Sequence, residues 1–278
     1  MRRSSMYFLL IFVLFASAEG VHAEVPAPGN FVYKKIGETE LSLTVYYPEG
    51  WEANQQRPAI VFFFGGGWVQ GTTKQFEPQS KALSSRGMVA ICADYRVKSR
   101  HEVTPDACVE DAKSAIRWVR QHNKELGIDP NKIVGAGGSA GGHLAACTGI
   151  CQGLDAAGED LSISSRPNLL VLYNPALNLN ESRILERLKN DVKMAKAISP
   201  TLHLKQDSPP ALLLYGTADF LISQGTEFMT KSKELGHEAE IFLAEDQKHG
   251  FFNREPWLAR TTQRVDEFLV KHGYLTAK

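Results

Sequence analysis

A strand with one solvated face is predicted near the start of the chain. From Leu41 to Tyr47 every second side chain is apolar or aromatic, an alternation typical of half-buried strands. We expect this strand to pair antiparallel with another near residues 31–36, at the edge of a sheet. The turn sequence Pro48-Glu49-Gly50 ends the hairpin.

Six later apolar runs lack this alternation, which favours parallel strands covered on both faces. They occupy residues 59–64, 88–93, 132–136, 169–173, 211–215 and 240–243. Apolar positions recur with helical spacing in four other segments, which are predicted helices: residues 105–122, 143–150, 224–235 and 257–271. This alternation predicts an α/β fold with a doubly wound, mostly parallel sheet. We find no repeat and no linker, so one domain over residues 24–278 is expected.

The segment 174–207 is long for a connection between a strand and a helix. Connections of that length usually carry a function or helices of their own, and residues 181–197 are expected to form one or two short helices. Two interpretations stay open: a small lid over a site, or a structural insertion.

The first residues differ from the rest of the chain. Arg2 and Arg3 precede an apolar run at residues 7–15, and small residues follow as far as Ala23. This pattern predicts a secretory signal peptide of residues 1–23, with Ala18 as a second cleavage position and a membrane anchor as the alternative. The run is too short to span a bilayer. We therefore expect a secreted or periplasmic protein with no membrane span after cleavage.

Composition and charge exclude several classes of partner. The 278 residues are 43% hydrophobic, and 31 basic residues balance 31 acidic ones. Without a basic stripe, nucleic acids and anionic membranes are poor partners. The four cysteines are Cys92, Cys108, Cys147 and Cys151. They form no metal-binding pattern, and they are expected to be small buried side chains or to include one disulfide to Cys108.

The sequence Gly137-Gly138-Ser139-Ala140-Gly141 joins a predicted strand to a predicted helix. This is the context in which G-x-S-x-G presents a nucleophilic serine. Glycines on both sides allow a turn too tight for other residues. A phosphate-binding turn is disfavoured, because neither Gly-Lys-Ser/Thr nor G-x-G-x-x-G is present.

A serine hydroxyl needs a base, and in this arrangement the order along the chain is serine, acid, histidine. Asp219 follows the apolar run 211–215, and His249 follows the run 240–243. Because catalytic groups gather at the carboxyl ends of parallel strands, we predict that both meet Ser139. Glu245 and Asp246 are the competing carboxylates.

The oxyanion of an acyl-transfer reaction needs preorganised N–H donors. We predict the backbone of Ala140, directly after the nucleophile, and of Gly65 and Gly66, which follow the first buried run. Gly67 and Trp68 are candidate substrate contacts. Trp68 either stacks on a sugar or aromatic acyl group or belongs to the core.

These motifs resemble a known family. The sequences Phe64-Gly-Gly-Gly-Trp68, Asp94-Tyr95-Arg96 and 137–142, followed by Asp219 and His249, are similar to α/β-hydrolase esterases. The similar groups are the hormone-sensitive-lipase-like and the Bacteroidetes-type feruloyl and acetyl esterases, over residues 31–275. Their usual histidine, which is thought to brace the glycine loop through its ring, is replaced here by Phe64. By the same resemblance, Asp94-Tyr95-Arg96 and Glu110-Asp111 form a polar network beneath the site.

The expected function is serine-dependent hydrolysis of a carboxylic ester, with no metal and no cofactor. We expect no large N-terminal cap, and therefore an open site that accepts polysaccharide as well as small-molecule esters. Acetyl or feruloyl groups on plant polysaccharide are the favoured substrates. A general short-chain carboxylesterase, a peptidase or amidase of the same fold, and a non-catalytic binding protein on this scaffold are the alternatives.

Overall fold

A computed structural model describes residues 25–277 of the chain. The predicted signal peptide, residues 1–23, lies outside the described residues. Within residues 25–277, no helix combines the length and the apolar character needed to cross a membrane.

Eight strands form one mixed sheet in the order β1-β2-β4-β3-β5-β6-β7-β8. They are β1 (Gly29–Ile36), β2 (Thr39–Tyr46), β3 (Arg57–Phe63), β4 (Val89–Ala93), β5 (Ile128–Gly138), β6 (Leu169–Tyr173), β7 (Ala211–Gly216) and β8 (Ala239–Ala244). The β1–β2 and β2–β4 pairs are antiparallel, and every other pair is parallel. The predicted edge hairpin and the predicted mostly parallel sheet are both confirmed.

Helices cover both faces of this sheet. They are α1 (Glu77–Ser84), α2 (Lys98–His101), α3 (Pro105–Gln121), α4 (Asn123–Leu126), α5 (Ala140–Ile150), α6 (Ser182–Leu185), α7 (Val192–Ala197), α8 (Pro200–His203), α9 (Ile222–Leu235) and α10 (Trp257–Lys271). The apolar side chains of α3, α5 and α9 pack on one face, and those of α1 and α10 on the other. The doubly wound arrangement is therefore confirmed.

β3 illustrates why its sequence lacks alternation. Ile60 and Phe62 belong to one core layer, whereas Val61 and Phe63 belong to the other. All four are buried with at most 1% exposure. Because each face is covered by helices, every position favours an apolar side chain, and each burial contributes about 1.5–3 kcal/mol.

A buried ionic cluster lies where α3 meets the loop after β4. Asp111 is fully buried, and Arg96 binds its two oxygens through Nε and Nη2 at 2.8 Å each. Lys34 Nζ lies 2.8 Å from the same carboxylate. Arg100 likewise donates two hydrogen bonds to Asp94, from Nη2 to Oδ1 at 2.7 Å and from Nη1 to Oδ2 at 2.9 Å. Polar side chains thus connect β1, the loop after β4 and α3 to one another.

The segment 174–207 contains α6, a 3₁₀ turn at Glu186–Leu188, α7 and α8. Arg187 extends from it and donates a hydrogen bond from Nη1 to the carbonyl oxygen of Gly67, at 2.6 Å. The segment therefore touches the glycine loop that follows β3.

The four cysteines are all buried free thiols. Burial raises the pKa of Cys92 to about 12 and also raises the pKa of Cys147. The interpretation of these residues as small buried side chains agrees with their positions, and no disulfide joins them in residues 25–277.

Candidate active site

Ser139 lies between the end of β5 and the start of α5, with φ 53° and ψ −116°. A positive φ is costly for a residue with a side chain, by about 1–3 kcal/mol, and usually marks a functional turn. The turn is tight: a Cβ on Gly137 would lie 2.4 Å from the carbonyl oxygen of Gly141. A Cβ on Gly141 would lie 2.0 Å from the oxygen of Phe63. Both glycines are therefore needed for this geometry.

Three side chains form a continuous hydrogen-bonded chain at this turn. His249 Nε2 lies 2.8 Å from Ser139 Oγ, and its Nδ1 lies 2.9 and 3.0 Å from the two oxygens of Asp219. A carboxylate only accepts hydrogen bonds, so Nδ1 carries the proton and Nε2 accepts from the serine hydroxyl. This arrangement can activate a hydroxyl for attack on a carbonyl carbon.

The sheet explains why these residues meet. β5, β6, β7 and β8 are parallel neighbours, so their carboxyl ends lie side by side. Ser139, Asp219 and His249 each lie beyond the end of one of these strands. Glu245 and Asp246 are exposed, and in the described structure the carboxylate hydrogen-bonded to His249 is Asp219.

Asn174 is a member of this site that the sequence pattern did not single out. It directly follows β6, is fully buried and has φ 36°. Its Oδ1 accepts the N–H of Gly250 at 3.0 Å, which directs its Nδ2 to His249 Nε2 at 3.4 Å. The sequence offered one indication of its role. Asn174 is a polar residue at the end of β6, and β6 lies between β5, which precedes Ser139, and β7, which precedes Asp219.

One of the predicted oxyanion donors already has a hydrogen-bond acceptor within the protein. The N–H of Gly65 donates to Gln75 Oε1 at 2.6 Å, which contradicts the prediction for Gly65. Among residues 25–277, the N–H groups of Gly66 and Gly67 have no hydrogen-bond acceptor. The N–H of Ala140 lies at the first turn of α5, where an α-helix supplies no acceptor of its own. Gly66 and Ala140 therefore remain as candidates, and Gly67 joins them.

Gln75 links the two loops of the site. Its Oε1 binds Gly65, and its Nε2 donates to Asn253 Oδ1 at 3.2 Å. Asn253 Nδ2 in turn donates to the carbonyl oxygen of Gly250, next to His249, at 3.0 Å. These hydrogen bonds connect the glycine loop after β3 to the loop that carries His249.

Phe64 braces the glycine loop by packing and through its main chain. Its ring stacks on Tyr95 with centroids 4.1 Å apart, and the Tyr95 hydroxyl donates to the Phe64 carbonyl oxygen at 2.7 Å. Gly71 accommodates the ring, because a Cβ there would lie 2.4 Å from Phe64 Cδ2. These contacts brace the glycine loop although Phe64 replaces the histidine that is usual in the similar families.

Trp68 belongs to the core rather than to an open substrate surface. It is 4% exposed, and its Nε1 donates to His143 Nδ1 at 3.2 Å. His143 Nε2 donates to the carbonyl oxygen of Ile198 at 2.7 Å. Of the two interpretations of Trp68, its burial and its hydrogen bond to His143 support the core position. The indole and imidazole instead tie the glycine loop to α5 and to the segment 174–207.

The pH dependence of stability is expected to follow from His143. Burial lowers its pKa to about 4, so the folded protein keeps it neutral while the unfolded chain is protonated below about pH 6.5. Stability is thus fully present above pH 6.5 and falls by about 3 kcal/mol as the pH drops to 4. Denaturant unfolding of wild type and His143→Gln across this range measures the contribution. The advantage of wild type over the variant in unfolding free energy should shrink by about 3 kcal/mol between pH 6.5 and 4, because only wild type has the histidine to protonate. Parallel curves would contradict the role of His143.

Within residues 25–277, no cluster of three or more His, Cys, Asp or Glu residues is arranged to hold an ion. The chemistry available is a hydroxyl, a base, a carboxylate and backbone N–H donors.

Comparison with known sequences finds esterases among the similar proteins. Residues 43–232 match the family model described as BD-FAE. The chain is 29% identical over 231 residues to a probable isoprenylcysteine alpha-carbonyl methylesterase of Arabidopsis thaliana, covering 74% of this chain and 48% of that protein. Carboxylesterase NlhH of Mycobacterium tuberculosis is 34% identical over 111 residues, which are 40% of this chain and 34% of that protein. The chain spans about half the length, or less, of these curated relatives.

Solved structures are similar over nearly the whole described fold. The apo form of Thermogutta terrifontis esterase 2 superposes with a TM-score of 0.86 at 46% identity, covering 92% of this chain and 98% of that chain. The form of that esterase phosphorylated by paraoxon gives a TM-score of 0.85 at 45% identity, over 92% and 98% of the two chains. Its butyrate-bound form gives 0.86 at 45% identity, over 91% and 97%. The predicted α/β-hydrolase fold is confirmed by these matches.

Proposed function

The chain belongs to the BD-FAE family, and on this premise we propose that it is a serine-dependent carboxylic ester hydrolase. The single observation that carries the proposal is the hydrogen-bonded chain from Asp219 through His249 to Ser139, with distances of 2.9 and 2.8 Å. The roles of nucleophile, base and orienting carboxylate follow from these contacts.

The first half of the reaction forms an acyl-enzyme. Ser139 Oγ attacks the ester carbonyl while His249 Nε2 takes its proton, and the Asp219 carboxylate stabilises the resulting imidazolium. The carbonyl oxygen becomes negative and is held by the N–H group of Ala140, at the positive end of the α5 dipole, and by the N–H groups of Gly66 and Gly67. His249 then gives the proton to the leaving alcohol.

The second half releases the acid. A water molecule takes the place of the alcohol, and His249 removes its proton as it attacks the acyl carbon. Collapse of the second tetrahedral intermediate returns the proton to Ser139 Oγ and frees the carboxylic acid.

The substrate proposal is an ester of a sugar, with acetyl or feruloyl groups on plant polysaccharide. An open site supports it: the His249 side chain keeps 24% of its surface exposed, and Gly66 is exposed. Export, predicted from residues 1–23, also supports it, because polymeric substrates are found outside cells. The segment 174–207 is proposed as a small lid, since Arg187 reaches the carbonyl oxygen of Gly67.

A general short-chain carboxylesterase is the second candidate. It is favoured by the similarity to Thermogutta terrifontis esterase 2, whose structures include propionate-bound and butyrate-bound forms. Both candidates use the same mechanism and differ in the ester, that is, in the acyl group and in the alcohol that leaves.

An ester panel separates the two candidates. Purified enzyme is expected to release acid from acetylated xylan and from feruloyl sugars with kcat/KM at least equal to its value for short-chain alkyl esters. Acid release measured by pH-stat, with the Ser139→Ala protein as blank, provides the comparison. Rapid hydrolysis of p-nitrophenyl butyrate without release from the sugar esters would favour the general carboxylesterase.

A further inference from the structure

Phe220 exposes an aromatic ring at the edge of the proposed active site. It is 63% exposed, although its neighbours Asp219 and Leu221 are only 2% and 4% exposed. Other aromatic side chains near the nucleophile, such as Phe76 and Phe252, are 1% exposed. Burying a phenylalanine is worth about 1.5–3 kcal/mol, so a ring that is 63% exposed forgoes most of this stabilisation.

The ring lies directly against the imidazole of His249. The two ring centroids are 4.6 Å apart with their planes inclined at 46°. The imidazole nitrogens are already engaged, Nδ1 by Asp219 and Nε2 by Ser139. Phe220 therefore contacts the imidazole through its carbon surface and leaves its own outer surface open to solvent.

The direction of proton transfer identifies which part of an ester comes near this ring. His249 Nε2 must give its proton to the leaving oxygen, so that oxygen approaches to about 3 Å. The carbon atoms attached to the leaving oxygen then lie beside the imidazole and within reach of a ring 4.6 Å from it. The carbonyl oxygen is held separately, by the N–H groups of Ala140, Gly66 and Gly67.

We infer that Phe220 determines specificity by binding the alcohol portion of the ester. The inference rests on the proposed esterase function. The ring favours alcohols that present a flat apolar face, namely an aryl group or the C–H face of a pyranose, over methanol or ethanol. This chemistry agrees with sugar esters as substrates.

A purely positioning role for Phe220 makes a different kinetic prediction. When the acyl-enzyme is hydrolysed the alcohol has already left, yet His249 is still needed as the base. Loss of an alcohol-binding ring therefore leaves deacylation unchanged, whereas loss of a ring that holds the imidazole slows deacylation as well.

The test compares two esters with the same acyl group, methyl butyrate and phenyl butyrate. Phe220→Ala is expected to lower kcat/KM for the phenyl ester about tenfold, mainly through KM, and to change the methyl ester by less than about twofold. Phe220→Tyr keeps the ring and should keep the wild-type preference. For each ester, kcat/KM of the variant is divided by kcat/KM of wild type, because this ratio cancels the different intrinsic reactivities of the two esters.

Three controls make the result decisive. The deacylation rate, from the burst with p-nitrophenyl butyrate, should equal that of wild type in Phe220→Ala. Leu161→Ala removes another side chain that is 63% exposed and should change neither ester. Circular dichroism checks that every variant is folded.

Equal losses on both esters with slower deacylation would overturn the inference in favour of a positioning role, and an unchanged phenyl ester would overturn it outright. Both outcomes leave the proposed esterase function standing. If folded wild-type protein hydrolyses none of the esters, the proposed function fails, and the assignment of Phe220 fails with it.

Discussion

Replacing Ser139 by alanine is expected to lower kcat for ester hydrolysis by roughly 10⁵–10⁶-fold. The hydroxyl is the attacking atom, and neither His249 nor the backbone N–H donors can replace it. Residual activity would come from water activated by His249 next to the remaining N–H donors. The measurement is kcat for p-nitrophenyl butyrate in matched preparations of wild type and variant.

The fold of this variant should stay intact. Alanine keeps the Cβ that the φ of 53° already accommodates, and it removes only the 2.8 Å hydrogen bond to His249. Ser85→Ala is a matched control, because Ser85 is exposed and its hydroxyl bonds only within its own helix turn. Its activity should match wild type. A Ser139→Ala protein with near-normal kcat would contradict the proposed nucleophile.

Replacing Asp219 by asparagine is expected to lower kcat by about 10⁴-fold while leaving the fold unchanged. The N–H of Leu221 donates to Asp219 Oδ1 at 2.8 Å, so the amide oxygen of the variant stays at that position. The amide NH₂ must then occupy the place of Oδ2, which lies 2.9 Å from His249 Nδ1. Nδ1 then faces a donor at 2.9 Å and keeps only a neutral amide oxygen, at 3.0 Å, in place of a carboxylate. The imidazole proton therefore shifts to Nε2, the charge that stabilised the imidazolium is gone, and the base is lost.

The competing carboxylates supply the controls for this variant. Glu245→Gln and Asp246→Asn change exposed side chains on the strand exit next to His249, and each is expected to stay within about twofold of wild type. The measurement is again kcat, with thermal unfolding to confirm folding. A large loss in either control together with an active Asp219→Asn protein would contradict the assignment of the acid.

Much of the fold was predictable because both faces of the central strands are covered. The central part of a strand such as β3 then carries no polar side chain, so the apolar runs show where these strands lie. Their bounds were less predictable, because β5 spans Ile128–Gly138 whereas the predicted run was 132–136. The meeting of Ser139, Asp219 and His249 was predictable for a related reason, since each follows a buried strand. The strand order was not predictable, because apolar runs do not specify their neighbours. α1 was missed, because its eight residues carry few apolar positions.

Contacts between distant loops were beyond the sequence pattern. Gly65 lies in the predicted glycine loop, but whether its N–H is free depends on Gln75, ten residues later in a 3₁₀ turn. Trp68 was predicted either as a substrate contact or as core, and only the position of His143 decides between these. Asn174 and Phe220 gain their importance from His249, which no local pattern joins to them.

Covalent labelling with a fluorophosphonate probe tests the central claim most directly. The probe reacts with a serine only when a base activates its hydroxyl and donors hold the developing charge. Folded wild-type protein should gain one adduct, and fragmentation of the labelled peptide should place it on Ser139. The adduct should be absent from Ser139→Ala and should form far more slowly in Asp219→Asn. Folded wild-type protein that gains no adduct, or an adduct that persists in Ser139→Ala, would contradict this account.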